Sequence, residues 1–250
     1  MSARRDRRDR SRSGSAGSPR APGGASGRRR SPRPLLASIA IAVGVVAVLV
    51  VAGLVAQRGG DEPAYVPVAR SDASGKAWGV VGAPVHVIEF ADFQCVFCAR
   101  FARETEPTIA EEYIRSGRVR VTFHHFAFLG PDSVRAAEAS ECAADQGRFW
   151  EYHDLLFLRQ RGEGSGGFPA SRLKSMAREV ARAHPGFDAE RFGACLDAGE
   201  KRALVERETA EGRAAGISAT PSFLINGRLL QGAQNLEAFR QAIDAALRDR

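Results

Sequence analysis

The sequence predicts an α/β domain in which a βαβ unit and a closing ββα unit flank an inserted, all-helical block. Three observations carry this. A strand, a helix and a second strand are legible within about forty residues from Val85, the spacing of a βαβ unit. About 80 residues of helical pattern follow. Two short strands around Asn226-Gly227 and one amphipathic helix then close the chain.

Ahead of this domain, residues 1–34 hold eleven Arg among Ser, Gly, Pro and Ala, with no aromatic residue. Such a tail buries too little apolar surface to offset its ordering entropy. Residues 35–56 run LLASIAIAVGVVAVLVVAGLVA, 22 residues without a charge, long enough as a helix for a bilayer core of roughly 30 Å. Lys and Arg favour the cytoplasmic side of a membrane, so this run reads as a single-pass signal anchor with the tail in the cytoplasm and the rest outside. A cleaved secretory signal is the competing reading, for which 22 residues is long. Residues 57–77, with Gly59-Gly60, Pro63 and Pro67, read as a flexible linker. The folded domain is expected over 78–250, beginning near Trp78.

Val85–Ala91, VHVIEFA, is rich in β-branched residues and nearly continuous in apolar character, as a strand buried on both faces would be. Asp92-Phe93-Gln94-Cys95 leads into a helix that ends at Ser116-Gly117, and Arg118–Phe123 alternates like a strand. Helices are then expected over Ser133–Ala144, Phe149–Gln160, Ala170–Ala183, Ala189–Ala198 and Glu200–Ala215, inside an insertion of about 131–216. Asp188 is a cap, and Gly162–Gly167 is punctuation between helices. Asn226-Gly227 predicts a tight hairpin turn, and Asn235 caps a last helix over Leu236–Arg248.

Charge excludes one class of partner. The tail carries a net +9, which leaves the other 216 residues with 25 basic against 27 acidic side chains, a net of −2. Nothing there builds the basic groove that nucleic acid requires.

The four cysteines are Cys95, Cys98, Cys142 and Cys195. Four allow three pairings, and spacing alone leaves them open. A structural zinc site normally offers two short-spaced pairs; this chain has one, and no metal is expected. Cys95-Val96-Phe97-Cys98 lies where a strand gives way to a helix. There the unpaired N–H groups and the positive end of the helix dipole stabilise a thiolate. Cys95 is expected at the exposed mouth. Cys98, one turn in, is near enough to attack a mixed disulfide formed at Cys95.

Three segments together resemble one family. Glu89-Phe-Ala-Asp-Phe-Gln-Cys95-Val-Phe-Cys98 is similar to the active-site strand and motif of DsbA-type thiol–disulfide oxidoreductases, a thioredoxin-like fold with a helical insertion. Thr220-Pro221-Ser-Phe resembles the segment carrying that family's cis-proline, and Glu138 to Asp154 resembles its inserted domain. The resemblance covers roughly residues 78–250. It implies that Cys95 is the nucleophile and Cys98 the resolving thiol. Glu89 then exchanges a proton with Cys98, and Val96, Phe97, Thr220 and Pro221, with Pro221 in cis, bind substrate. It implies a structural disulfide between Cys142 and Cys195, and no cofactor beyond the redox-active cysteines. The strongest oxidants of the family place a His where this chain has Phe97, and a neutral ring supplies no charge to a thiolate.

The function so implied is disulfide donation to reduced or misoxidised extracytoplasmic proteins. Reoxidation would come from a membrane partner resembling vitamin K epoxide reductase. A reductase or isomerase of the same fold is the alternative, and a non-enzymatic anchored binding or assembly protein is a third. His124 and His125 end a strand near the site and read as structural, and the aromatics Phe149, Trp150, Tyr152 and Phe157 read as helical core.

Overall fold

The computed structural model describes residues 69–70 and 72–249. The tail over 1–34, the apolar run over 35–56 and most of the linker lie outside the described residues. No helix among those described is long and apolar enough to cross a membrane.

Six strands form one mixed sheet: β1 (Ala73–Ser74), β2 (Ala77–Trp78), β3 (Val85–Ala91), β4 (Val119–His125), β5 (Ser222–Ile225) and β6 (Arg228–Gln231), in the order β1-β2-β4-β3-β5-β6. β3 lies next to the sheet's centre. It pairs in parallel with β4, from Val85 opposite Val119 to Ala91 opposite His125, and antiparallel with β5, where Glu89 faces Phe223. A parallel pair needs a crossover, and an irregular helix, α1, supplies it. α1 alternates α and π turns as Val96–Arg100, Phe101–Thr105, Glu106–Ile109 and Ala110–Ile114. Pro107 has no N–H to give to an α-helical bond, and the wide turn lies directly ahead of it.

The insertion comprises α2 (Pro131–Ala144), α3 (Phe149–Leu158), α4 (Ala170–Ala183), α5 (Ala189–Ala198) and α6 (Arg202–Ala214). Asp188 caps α5 by accepting from Glu190 N at 2.9 Å and Arg191 N at 3.0 Å. The hairpin turns at Asn226 (φ 47°) and Gly227 (φ 83°), both in the left-handed region that a type I′ turn requires. α7 (Leu236–Arg248) begins where Asn235 Oδ1 accepts from Ala238 N, and it buries Phe239, Ile243 and Ala246.

Sheet and insertion share a continuous core. Phe93 stacks on Phe123 with ring centroids 5.4 Å apart, and Phe149, His153 and Phe157 of α3 pack around that pair. Phe149, Trp150, Tyr152 and Phe157 are all buried.

The linker read over 57–77 is a correction in its last residues, which form β1 and the start of β2. Side chains there find distant partners. Arg70 donates to both Asp154 carboxylate oxygens at 2.6 and 2.9 Å and lies 4.7 Å from the Trp78 ring centroid. Lys76 pairs with Glu141 at 2.7 Å and with Glu208. Elsewhere the differences are of register. β4 runs two residues past Phe123, and α2 starts at Pro131, whose missing N–H is tolerated in a first turn. α3 stops at Leu158, short of Gln160, whose side chain is used elsewhere.

Candidate active site

β3 ends at Ala91, three residues form a loop, and Cys95 is the N-cap residue of α1. This loop is clamped by polar side chains. Asp92 accepts from Gln94 N at 2.8 Å, Phe128 N at 2.9 Å and Leu129 N at 3.1 Å. Burial nonetheless holds its carboxyl above the usual range, against those hydrogen bonds. Gln94 donates to Ser133 Oγ at 2.9 Å and accepts from Gly164 N at 3.0 Å. Gln160 donates to Phe93 O at 2.7 Å and Cys95 O at 3.0 Å. The insertion therefore grips the loop that presents the cysteines. No sequence signal marks these three residues, because apart from Gln94 N on Asp92 their partners lie 35 to 70 positions away.

Cys95 and Cys98 are both reduced and both buried. Exposure expected for Cys95 is corrected to 3%. The peptide ahead of Pro221 covers it, with Cys95 Sγ donating to Thr220 O at 3.3 Å. Val96 and Phe97 beside it are 43% and 51% exposed, and Phe128 is also exposed. An apolar rim of Val96 and Phe97 therefore flanks a nearly buried sulfur. Arg100 lies 5.2 Å from the Phe97 ring centroid.

The two thiols differ in acidity. A hydrogen bond from the Cys98 side chain is the largest influence holding Cys95 down, at about 6, and the backbone N–H groups of Phe97 and Cys98 add to it against burial. Burial pushes Cys98 well above the ordinary thiol range, and the neighbouring Cys95 adds to that. One sulfur is thus a thiolate at neutral pH and the other a thiol, the division that thiol–disulfide exchange uses.

The Thr220–Pro221 bond is cis, and Thr220 Oγ1 is buried without a partner. Glu89, 1% exposed on β3, is held well above the usual carboxylate range by burial first and by Glu106 second, with Arg70 opposing. In its ionised form it would push Cys98 up further. Glu106 itself is raised by burial, with Arg70 and His153 opposing. Cys142 of α2 and Cys195 of α5 form a disulfide with a Cα–Cα distance of 5.9 Å, far along the chain from Cys95 and Cys98.

Among the described residues, His125, Glu141 and Glu208 bring possible ligand atoms within 4.8 Å of one another. Lys76 pairs with both carboxylates, so a cation already serves them. His124 packs on Phe90 at 5.4 Å, and His125 Nε2 lies 2.8 Å from Glu141 Oε1.

Comparison with known proteins gives the class. The family model described as thioredoxin matches residues 72–245, and the chain belongs to that family, as a DsbA-type thiol–disulfide oxidoreductase. A probable disulfide bond formation protein D of Bacillus anthracis is 30% identical over 168 residues, 66% of this chain and 75% of that protein. The oxidised BdbD of Bacillus subtilis superposes with a TM-score of 0.64 at 26% identity, over 70% of this chain and 93% of that one. Another relative, the Na(+)/H(+) antiporter NhaA 3 of Salinispora tropica, is 32% identical over 166 residues. The match takes in 66% of this chain and 23% of the antiporter, so the chain spans about a quarter of that relative's length.

Proposed function

We propose that this protein donates its Cys95–Cys98 disulfide to reduced or misoxidised proteins outside the cytoplasm while tethered to the membrane through residues 35–56. The observation that carries the reading is the unequal pair of thiols under an apolar rim. A substrate thiolate attacks Cys95 Sγ, the sulfur–sulfur bond breaks, and its electron pair leaves on Cys98. A second substrate thiolate then attacks the substrate sulfur of the mixed disulfide and releases Cys95 as a thiolate. The substrate is oxidised by two electrons and the cysteine pair is reduced by two.

Each site residue takes a role in this scheme. Cys95 exchanges with substrate and Cys98 resolves. Glu89 moves a proton for Cys98, and Val96, Phe97, Thr220 and Pro221 bind the substrate chain. The Arg-rich tail, the uncharged run and the Cys142–Cys195 disulfide support an extracytoplasmic site, since structural disulfides persist in oxidising compartments. A membrane redox partner resembling vitamin K epoxide reductase would reoxidise the pair. The uncharged Phe97 favours the alternative of a reductase or isomerase, because it leaves the thiolate without the imidazolium of the strongest oxidants.

The test is disulfide insertion into a reduced two-cysteine substrate protein. The oxidised chain should insert the bond stoichiometrically, and Cys95→Ser should abolish insertion. Retained activity in that variant would sink the reading, as would an oxidised wild type that leaves the substrate reduced.

A further inference from the structure

A second acid stands behind the first. A cavity between the sheet, α1 and α7 is walled by apolar side chains such as Val87, Phe101, Phe223 and Phe239, and it is also lined by Glu89 and Glu106. Glu106 is 4% exposed. It follows the wide turn of α1 directly, and π turns recur at functional positions in helices. Oε1 of each glutamate is buried without a partner.

The cations near the pair are already engaged. Arg70 Nη2 lies 3.8 Å from Glu106 Oε2, but its guanidinium is paired to Asp154 at 2.6 Å. His153 Nδ1 is 3.0 Å from Asp154 Oδ1. Besides Glu106, α1 lines the cavity with Phe101, Ile109 and Ile114, and the cavity-lining residues of β4, β5 and α7, among them Val121, Phe223 and Ile243, are apolar. One guanidinium shared with Asp154 does not balance two further carboxylates, and like charges in one apolar site cannot both ionise cheaply.

We propose that Glu106 is a positioning residue for the proton that serves Cys98: Glu89 and Glu106 hold one proton between them, and the pair delivers it. This rests on the reading that Glu89 exchanges a proton with Cys98. When the Cys95–Cys98 bond opens toward substrate, the electron pair leaves on Cys98 Sγ and the shared proton moves there, giving a thiol. Delivery leaves both glutamates ionised, a costly state in one apolar site, with Arg70 facing the Glu106 carboxylate, and it lasts only until water returns a proton to the pair.

The test is a reduced-minus-oxidised infrared difference spectrum of the full chain across pH, for the wild type, Glu89→Gln, Glu106→Gln and Glu106→Asp. The wild type should show a protonated-carboxyl band that responds to reduction. In Glu106→Gln that band should shift, and its pH midpoint should fall by about one unit or more, because a neutral amide no longer opposes ionisation of Glu89. Glu106→Asp, which keeps the acid, should restore the midpoint toward that of the wild type. A band abolished by Glu89→Gln yet unchanged in Glu106→Gln would overturn the sharing and leave the role of Glu89 intact. A band indifferent to Glu89→Gln would overturn both. The wild type gives an answer even where a variant fails to fold. Coupled acids titrate in two macroscopic steps, so two carboxyl inflections in the pH dependence of its reduction potential are expected, and a single inflection would overturn the proposal.

Discussion

Cys95 Sγ lies 3.3 Å from the carbonyl oxygen of Thr220, 125 residues along the chain. This contact closes a site that α1 alone would leave open. It joins the strand–helix junction of the βαβ unit to the start of the ββα unit.

The acidity of Cys95 rests first on Cys98. Alkylation of the reduced protein should therefore show a thiolate midpoint near pH 6 at Cys95, with Cys98 unreactive until far higher pH. Cys98→Ala removes the hydrogen bond that stabilises the thiolate, and the midpoint should rise by about one unit or more. An unmoved midpoint would assign the low value to the helix terminus alone.

Glu89 is raised in the fold, so the folded state holds a proton that the unfolded chain releases. Stability from this group is full below the unfolded value of 4.5 and falls as pH rises from there toward the folded value. Glu89→Gln should thus gain about 1–3 kcal/mol in urea unfolding at pH 7 and little at pH 4. Its thiol–disulfide exchange should meanwhile slow. A variant less stable at pH 7 than at pH 4, relative to wild type, would contradict the buried neutral acid.

Glu141 behaves in the opposite sense. Burial pushes it up, but His125 and Lys76 outweigh that and hold it at about 2. Its contribution is present above 4.5 and is lost as pH falls toward 2. Glu141→Gln removes the carboxylate that faces the half-buried Lys76 and accepts beside His125 Nε2, and should cost about 3 kcal/mol at pH 7, with the difference shrinking in acid. Equal losses at pH 7 and pH 3 would point to packing instead.

The Cys142–Cys195 disulfide spans 53 positions, for which loop entropy gives about 4 kcal/mol. Replacing both cysteines by Ala should lower stability by that order while leaving the Cys95 alkylation midpoint near 6. A shifted midpoint would show that the staple also shapes the redox site.

Local pattern explains what was legible in the sequence. The β-branched run of β3, the caps Asp188 and Asn235, the Asn226-Gly227 turn and the Cys95–Cys98 spacing are each written within a few residues. The burial of Cys95 is not, because Thr220 closes over it from another unit of the fold. Asp92 and Gln94 likewise look like ordinary polar residues of a turn, and Gln160 like the last residue of a helix, until their partners arrive. Glu106 reads as one acid among several on a charged helix, and only the wide turn and the sheet packing show that it faces inward. Arg70 and Lys76 look like linker charges because their carboxylates lie in α1, α2, α3 and α6.

The central claim is that this disulfide is given away readily. Ionisation of Cys95 at about 6 rather than 9.0 favours the reduced form about tenfold at pH 7, or about 30 mV for two electrons. The equilibrium reduction potential of Cys95–Cys98, with Cys142 and Cys195 tracked separately by mass, tests this most directly. A value of about −120 to −180 mV is expected for a disulfide donor. A value near −270 mV, about that of thioredoxin, would contradict donation and make the protein a reductase that needs a supply of electrons.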